Sequence, residues 1–326
     1  MTRHSKSPKA GFGRGAMLAA ALAAAMAASP VAVRAGEGGT SHVVPGSLAT
    51  LADNPPASGP VTFVKPMYMH YSGSISAQIP TAAGLAGDVD ASSNTFALAL
   101  GHSFGTEVLG ATYTMVAALP YTWLNITGNV QAGPVTRRVK SSVDGFGDLT
   151  LIPTMMAWKS GNWQYNFILP IYAPTGSYEK GRLGNPGLNY WTFDPMAGVV
   201  YSNDKGLNAL LHAGLAINTE NNATSYRSGN LLHFDGAVQQ VLPVGKGFMT
   251  LGAEAFYFQQ VTCDSGTGAT LGCFKGRTAG IGPVLGYILP FSKTEQLVVE
   301  LKWLPEIDTK NRLNGDYIWL KMVYKF

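Results

Sequence analysis

The sequence is short of charge. Asp, Glu, Lys and Arg make up 13% of its 326 residues, about half the share of an ordinary soluble domain. Five of the 23 Lys and Arg, and none of the 19 Asp and Glu, fall in residues 1–35. The rest of the chain therefore holds 18 bases and 19 acids, and the sequence pI near 8.9 is set by the first 35 residues. So neutral a chain offers no electrostatic basis for a nucleic-acid partner.

Long apolar runs are also missing. Beyond residue 35 no window stays apolar for the roughly 20 residues that a spanning helix requires. Yet the mean hydropathy is slightly positive, at +0.09. An apolar chain without apolar runs is either an exported all-β protein or a transmembrane barrel, whose alternating strands escape hydropathy windows.

Cysteine is nearly absent. Cys263 and Cys273 are the two present. In an exported chain this spacing points to a disulfide, with free thiols as the alternative. No His lies between 234 and 326 to complete a metal site around them,. The chain has no H-E-x-x-H, P-loop or EF-hand pattern, and Gly266, Gly268 and Gly272 miss the dinucleotide spacing by one residue,. No metal and no cofactor is expected.

What is present begins with a leader. MTRHSKSPKAGFGR is basic, MLAAALAAAMAA (17–28) is a short apolar stretch, and Val33-Arg34-Ala35 closes it like a cleavage site. Residues 1–35 thus read as a secretory signal cut after Ala35. Residues 36–59, rich in Gly, Pro and Ser, are either a periplasmic lead or a hatch folded into a lumen around VVPGSLATLA (43–52). Residues 60–326 are expected to form the barrel.

Beyond that point the dominant pattern has period two, the signature of strands with unlike faces. The chain ends YIWLKMVYKF (317–326): Ile318, Leu320, Met322, Tyr324 and Phe326 share one face, and Lys321 and Lys325 the other. Alternate residues of 296–303, 207–218 and 163–172 divide in the same way. Twelve such runs fall at 60–72, 95–103, 107–125, 147–158, 163–174, 189–201, 207–219, 230–242, 247–261, 277–290, 296–307 and 316–326. Short connections alternate with longer polar ones, at 73–94, 126–146, 175–188, 220–229, 262–276 and 308–315. An even strand count with this alternation predicts an all-β transmembrane antiparallel barrel of the bacterial outer membrane. A soluble β-sandwich would also alternate, but it leaves the aromatic residues near strand ends (Tyr68, Tyr71, Tyr121, Trp123, Trp158, Trp163, Tyr201, Trp303, Trp319) unexplained,.

The stretches GFGDLTLIPTMMAW (145–158), NPGLNYWTFDPMAGVVYSNDKG (185–206), SYRSGNLLHFDGAVQQ (225–240) and KGRTAGIGPVLGYILP (275–290), with EGGTSHVVPG (37–46), carry a likeness over nearly the whole exported chain. They resemble the outer-membrane family named for the meta-pathway of phenol degradation. The resemblance implies a barrel of Gram-negative bacteria that helps poorly soluble, often aromatic, compounds into the periplasm. The terminal Tyr324 and Phe326 resemble the signature read by the barrel-assembly machinery.

Candidate site residues follow from strand parity. Asp194, His212, His233, Asp235, Glu254, Glu300, Lys302 and Lys321 all project inward, as a stabilising network or as the selectivity lining of a passage. Inward positions such as Val298 are expected to meet water or polar groups. The reading is a monomeric channel, not an enzyme, for small hydrophobic or aromatic molecules, with outer-membrane lipids around it. One alternative is a lipid or ester hydrolase using His212, His233 and Asp235 with Ser225 or Ser228, though no G-x-S-x-G context supports it. The other is a structural or adhesive barrel.

Overall fold

The computed structural model describes residues 41–56, 59–78, 86–132, 135–180, 182, 184–269, 273 and 275–326. The expected signal peptide and the first residues of segment 36–59 lie outside them. Among the described residues there is no helix, only strands and their connections.

Fourteen elements follow in order: β1 (Pro60–Gln78), β2 (Ala86–Val108), β3 (Ala111–Ala132), β4 (Val135–Phe146), β5 (Leu149–Ser160), β6 (Trp163–Ala173), β7 (Thr192–Phe193), β8 (Met196–Ser202), β9 (Leu207–Asn218), β10 (Leu231–Val244), β11 (Gly247–Gln260), β12 (Arg277–Pro290), β13 (Gln296–Lys310) and β14 (Asn314–Lys325). β4 and β5 both pair with β3 and make one strand broken at Gly147–Asp148. β7 and β8 both lie between β6 and β9, broken at Asp194–Pro195. Counted so, twelve antiparallel strands close into a barrel where β14 meets β1. The last residue completes the seam. Phe326 N–H donates to the Thr62 carbonyl (2.9 Å), and Thr62 N–H donates to the Phe326 carbonyl (3.0 Å).

Closure decides which side chains go where. In hydrocarbon a free backbone donor or acceptor is costly, so only a sheet without edges can span. Outward positions are then apolar: Leu301 is 48% exposed, Trp303 52% and Phe326 52%, while their neighbours Lys302 and Lys321 are fully buried. Tyr68, Phe96, Tyr121 and Phe146 are successive cross-strand partners over β1–β4 and form an aromatic row on the outside.

The connections correct four expectations. Segments 73–94 and 126–146 were expected to be loops, but β1 runs to Gln78, β2 starts at Ala86, β3 runs to Ala132 and β4 fills Val135–Phe146. The outward positions of these extensions are Ser, Asn, Asp, Thr and Lys, so the apolar outer stripe that marks the other strands is missing. The extensions are held by the ladder itself. The short turn expected at 104–106 is displaced to Leu109–Gly110, where both residues have positive φ (53° and 73°), as a two-residue hairpin turn requires. The connection expected at 308–315 contracts to 311–313, because β13 continues to Lys310 and β14 begins at Asn314.

The interior is filled, which corrects the expectation for Val298. It packs with Phe63, Val323 and Ala52 instead of facing water. Outward positions remain the place for a lipid test. Replacing Leu301 by Arg should cost about 2–4 kcal/mol of folding stability in lipid vesicles, whereas Arg at Tyr324, near the strand end, should cost about 0–1 kcal/mol. Equal costs at the two positions would contradict a lipid-facing β13 and β14.

Candidate functional site

The interior is organised around a piece of chain that belongs to no strand. Residues 41–56 run inside the barrel and touch nearly every part of its wall. Their apolar residues distribute among four clusters. Val43 packs with Phe256, Phe258, Leu304 and Trp319, Leu48 against Ile152 and Ile168, Leu51 against Val200 and Leu210, and Ala52 against Phe63 and Val323. A tight turn puts Gly46 at φ +80°, where a Cβ would come within 2.6 Å of the Leu304 side chain. Glycine is required there on both counts.

The turn brings backbone carbonyls to two buried lysines. Lys302 Nζ donates to the Gly46 carbonyl (2.9 Å), and Lys321 Nζ donates to the carbonyls of Gly46 (2.7 Å) and Ser47 (2.9 Å). Trp319 Nε1 donates to the Pro45 carbonyl at 3.0 Å. Asp53 then supplies the countercharge. Its carboxylate accepts from Lys321 at 2.8 and 2.9 Å, pairs with Lys65, and lies 3.4 Å from Lys302. Lys302 is also paired with Glu254 (2.8 Å) and Glu300 (3.4 Å). Thr50 ties the group together, its hydroxyl lying 2.7 Å from Glu300 and 2.9 Å from Asp53.

Three lysines thus face three carboxylates, and one of those carboxylates comes from the segment. Burial by itself pushes the Asp53 carboxyl up, but Lys321, Lys65 and Lys302 outweigh it and hold the group well below the usual carboxylate range. Breaking one partner out of a buried ionic group is costly, about 3–5 kcal/mol, because the other charge is stranded. Without Asp53 the wall would keep three buried lysines against two glutamates.

Two further contacts anchor the ends of the segment. His42 lies between Asp148 (Nε2–Oδ2, 2.8 Å) and Thr192 (Nδ1–Oγ1, 2.7 Å), stacked on Tyr172 at 5.0 Å between ring centres. Asn54 Oδ1 accepts from Asn166 (3.0 Å) and Gln164 (3.2 Å). Between them the Leu51 amide donates to Gln239 Oε1 (2.9 Å) and the Gly46 amide to Asp235 Oδ1 (3.1 Å).

All eight inward residues expected from parity are buried. The structure divides them into two groups. Glu254, Glu300, Lys302 and Lys321 belong to the Asp53 cluster. His233 forms the second, 2.9 Å from Asp194 and 3.5 Å from Asp235. His212 stands apart, with Asn166 Nδ2 at 3.4 Å. Among the described residues neither histidine is hydrogen-bonded to Ser225 or Ser228, as the hydrolase alternative would have them. Sequence reasoning missed Asp53, Lys65, His42, Asp148 and Gln239. Lys65 sits on the inward parity of β1, but both faces of its stretch VTFVKPMYM are apolar and hide that parity.

Cys263 and Cys273 are joined, with sulfurs 1.98 Å apart, in the connection between β11 and β12. Asp264 beside them accepts from Tyr226 Oη (2.5 Å) and the Gly229 amide (2.7 Å), which fastens this connection to the one between β9 and β10.

Known proteins with this geometry are barrels of the outer membrane. An outer membrane channel from Pseudomonas putida F1 superimposes with a TM-score of 0.59 at 18% identity, covering 87% of this chain and 100% of that one. At that identity the likeness bears on the fold alone. The β domain of the Bordetella autotransporter BrkA (TM-score 0.44, 13% identity, 81% of this chain and 99% of that one) is too distant to support an argument. None of the curated proteins matches the sequence. The profile of the family described as "Putative MetA-pathway of phenol degradation" matches residues 72–322. That span takes in most of the barrel, and the chain belongs to this phenol-degradation family.

Proposed function

We propose that the protein is an outer-membrane channel whose passage is controlled by its own N-terminal segment. The observation that carries this is the placement of residues 41–56 inside the closed barrel, held by side chains rather than by membership of the sheet. A segment of the wall could not leave without opening the ladder. This one can be withdrawn at the expense of polar and apolar contacts that water and a small solute could replace. Family membership supports the channel reading. Small hydrophobic or aromatic compounds are the proposed cargo, because the residues packed against the segment's Val43 include Phe256, Phe258, Tyr317 and Trp319, an aromatic surface that its withdrawal would uncover. A cleaved leader over residues 1–35, assembly through the terminal Tyr324 and Phe326, a lipid-embedded monomer and the absence of an enzymatic role complete the proposal. Uptake of labelled phenol, toluene and an alkane by a deletion strain carrying the wild-type gene tests the cargo. Uptake of none of them above the empty strain would refute it.

Asp53→Asn strands one buried lysine charge and should raise the frequency and size of conductance steps in planar bilayers, and deletion of residues 41–56 should raise them further. Unchanged conductance in both would refute control by the segment. The pH dependence has a definite sign. A carboxyl held below its unfolded value contributes stability above that value and loses it only as pH falls through the depressed folded value. Wild-type conductance should therefore show no opening through Asp53 between about pH 8 and pH 5. Opening in that range that is absent in Asp53→Asn would contradict the ionised, lysine-bound state.

Orientation has its own test. Cysteine at Asn222, in the connection between β9 and β10, should label on intact cells, and cysteine at Asp204, in the short turn between β8 and β9, only after the outer membrane is permeabilised. The reverse result would invert the barrel.

A further inference from the structure

The outer face of β1–β4 changes character abruptly along its length. Below, it carries the Tyr68–Phe96–Tyr121–Phe146 row. Above, it is polar in row after row of directly opposed partners. Asp316, Ser72, Ser92, Asn125 and Ser142 form one such row across β14, β1, β2, β3 and β4. Asn314, Ser74, Asp90, Thr127 and Lys140 form the next. The register is unbroken from the aromatic row to these rows, so all of these side chains stay on the outside of the wall. A spanning barrel has no need of this extension, since the apolar band is already complete below it.

The face is also hollow. A cleft of about 500 Å³ is lined by the β14, β1, β2 and β3 members of the two polar rows, with Gly73, Ala91 and Gly315 supplying a wall that has little or no side chain. Its inner limit is Glu306, whose carboxylate accepts from the Gly315 amide (2.8 Å), Tyr71 (3.1 Å) and Thr278 (2.7 Å). Glu306 is thereby satisfied within the protein. Among the described residues, the side chains of Ser72, Ser74, Asp90, Ser92, Thr127 and Asp316 make no hydrogen bond or ion pair within the protein. Hydroxyls and carboxylates carry several donor and acceptor positions each. One row below, Trp123 is 45% exposed and tilted against Tyr121 at 4.8 Å between ring centres.

We propose that this cleft binds the saccharide headgroup of a glycolipid in the surrounding outer leaflet. Unpartnered hydroxyls and carboxylates beside an exposed aromatic face match a sugar, which offers hydroxyls at its rim and C–H groups on its ring face. The volume suits a short oligosaccharide rather than a single small ion. A metal ion fits poorly, because among the described residues no group of three His, Cys, Asp or Glu lies close enough to hold one. The cleft's lining carries the carboxylates of Asp90, Asp316 and Glu306 and no basic side chain, which disfavours a phosphate, so the recognised part is the uncharged polyol. The position selects the source. The cleft opens sideways, directly above the aromatic row, where the headgroup of a neighbouring lipid stands.

The inference rests on the outer-membrane placement proposed above, and the test keeps the two apart. Full-length purified protein in detergent is titrated with intact outer-leaflet glycolipid, with the same lipid stripped of its sugars, and with the oligosaccharide released from it. The intact lipid should bind at least about tenfold more tightly than the stripped one, and the free oligosaccharide should compete and quench Trp123 fluorescence. The Asp90→Ala/Ser92→Ala variant should lose about tenfold for the intact lipid and nothing for the stripped one, with unchanged heat-modifiable migration. Equal affinity for intact and stripped lipid in the wild type, no competition by the oligosaccharide, or binding abolished by a chelator would each overturn the proposal. These titrations need no cell. The Asn222 labelling reports separately on placement.

Discussion

In hydrocarbon every backbone donor and acceptor must find its partner within the protein, and the rest of this structure follows from that constraint. Twelve strands meet it by closing on themselves, with Phe326 zipped to Thr62 at the seam. Closure turns one face of each strand to lipid and encloses the other. The outward face is simple, because lipid asks only for apolar side chains. The enclosed face is where the difficulty lies. A ring of twelve strands encloses more space than side chains of ordinary size fill, and the chain also places lysines and glutamates there.

Residues 41–56 resolve both difficulties together. Their apolar side chains fill the space beside the clusters on the wall, and Asp53 brings the third carboxylate to the three lysines. The arrangement is stable while intact and sensitive to one substitution, as a buried ionic group is. The two histidines are braced in the same interior, His233 between Asp194 and Asp235 and His212 beside Asn166.

Much of this was legible from the period-two pattern. On β13 the alternation of Leu297, Val299 and Leu301 with Glu300 and Lys302 fixes the faces, and parity alone identified the inward charges. The pattern failed where its physical cause was absent. The upper parts of β1–β4 face water on the outside, so Ser72, Ser92 and Asn125 show no apolar period and read as loop. Lys65 lies in VTFVKPMYM, where both faces are apolar and its parity does not stand out. Asp53 sits in a Gly- and Pro-rich stretch with no period at all, and its partners are distant in sequence. Val298 was misjudged for a related reason. Parity says which residues point inward, but not whether water or another part of the chain meets them there.

The central claim is that the segment occupies the passage and must leave it for a solute to cross. Leu51 packs against the cluster of Val200, Leu210 and Ala237 on the opposite wall, so cysteines replacing Leu51 and Ala237 can lock the segment in place. Single-channel conductance of this variant, recorded first under oxidising conditions and then after gentle reduction, measures the claim directly. The account predicts that the locked protein shows no opening events and that reduction restores them to the level of the wild type. Conductance that is the same in the locked and the reduced protein would contradict it.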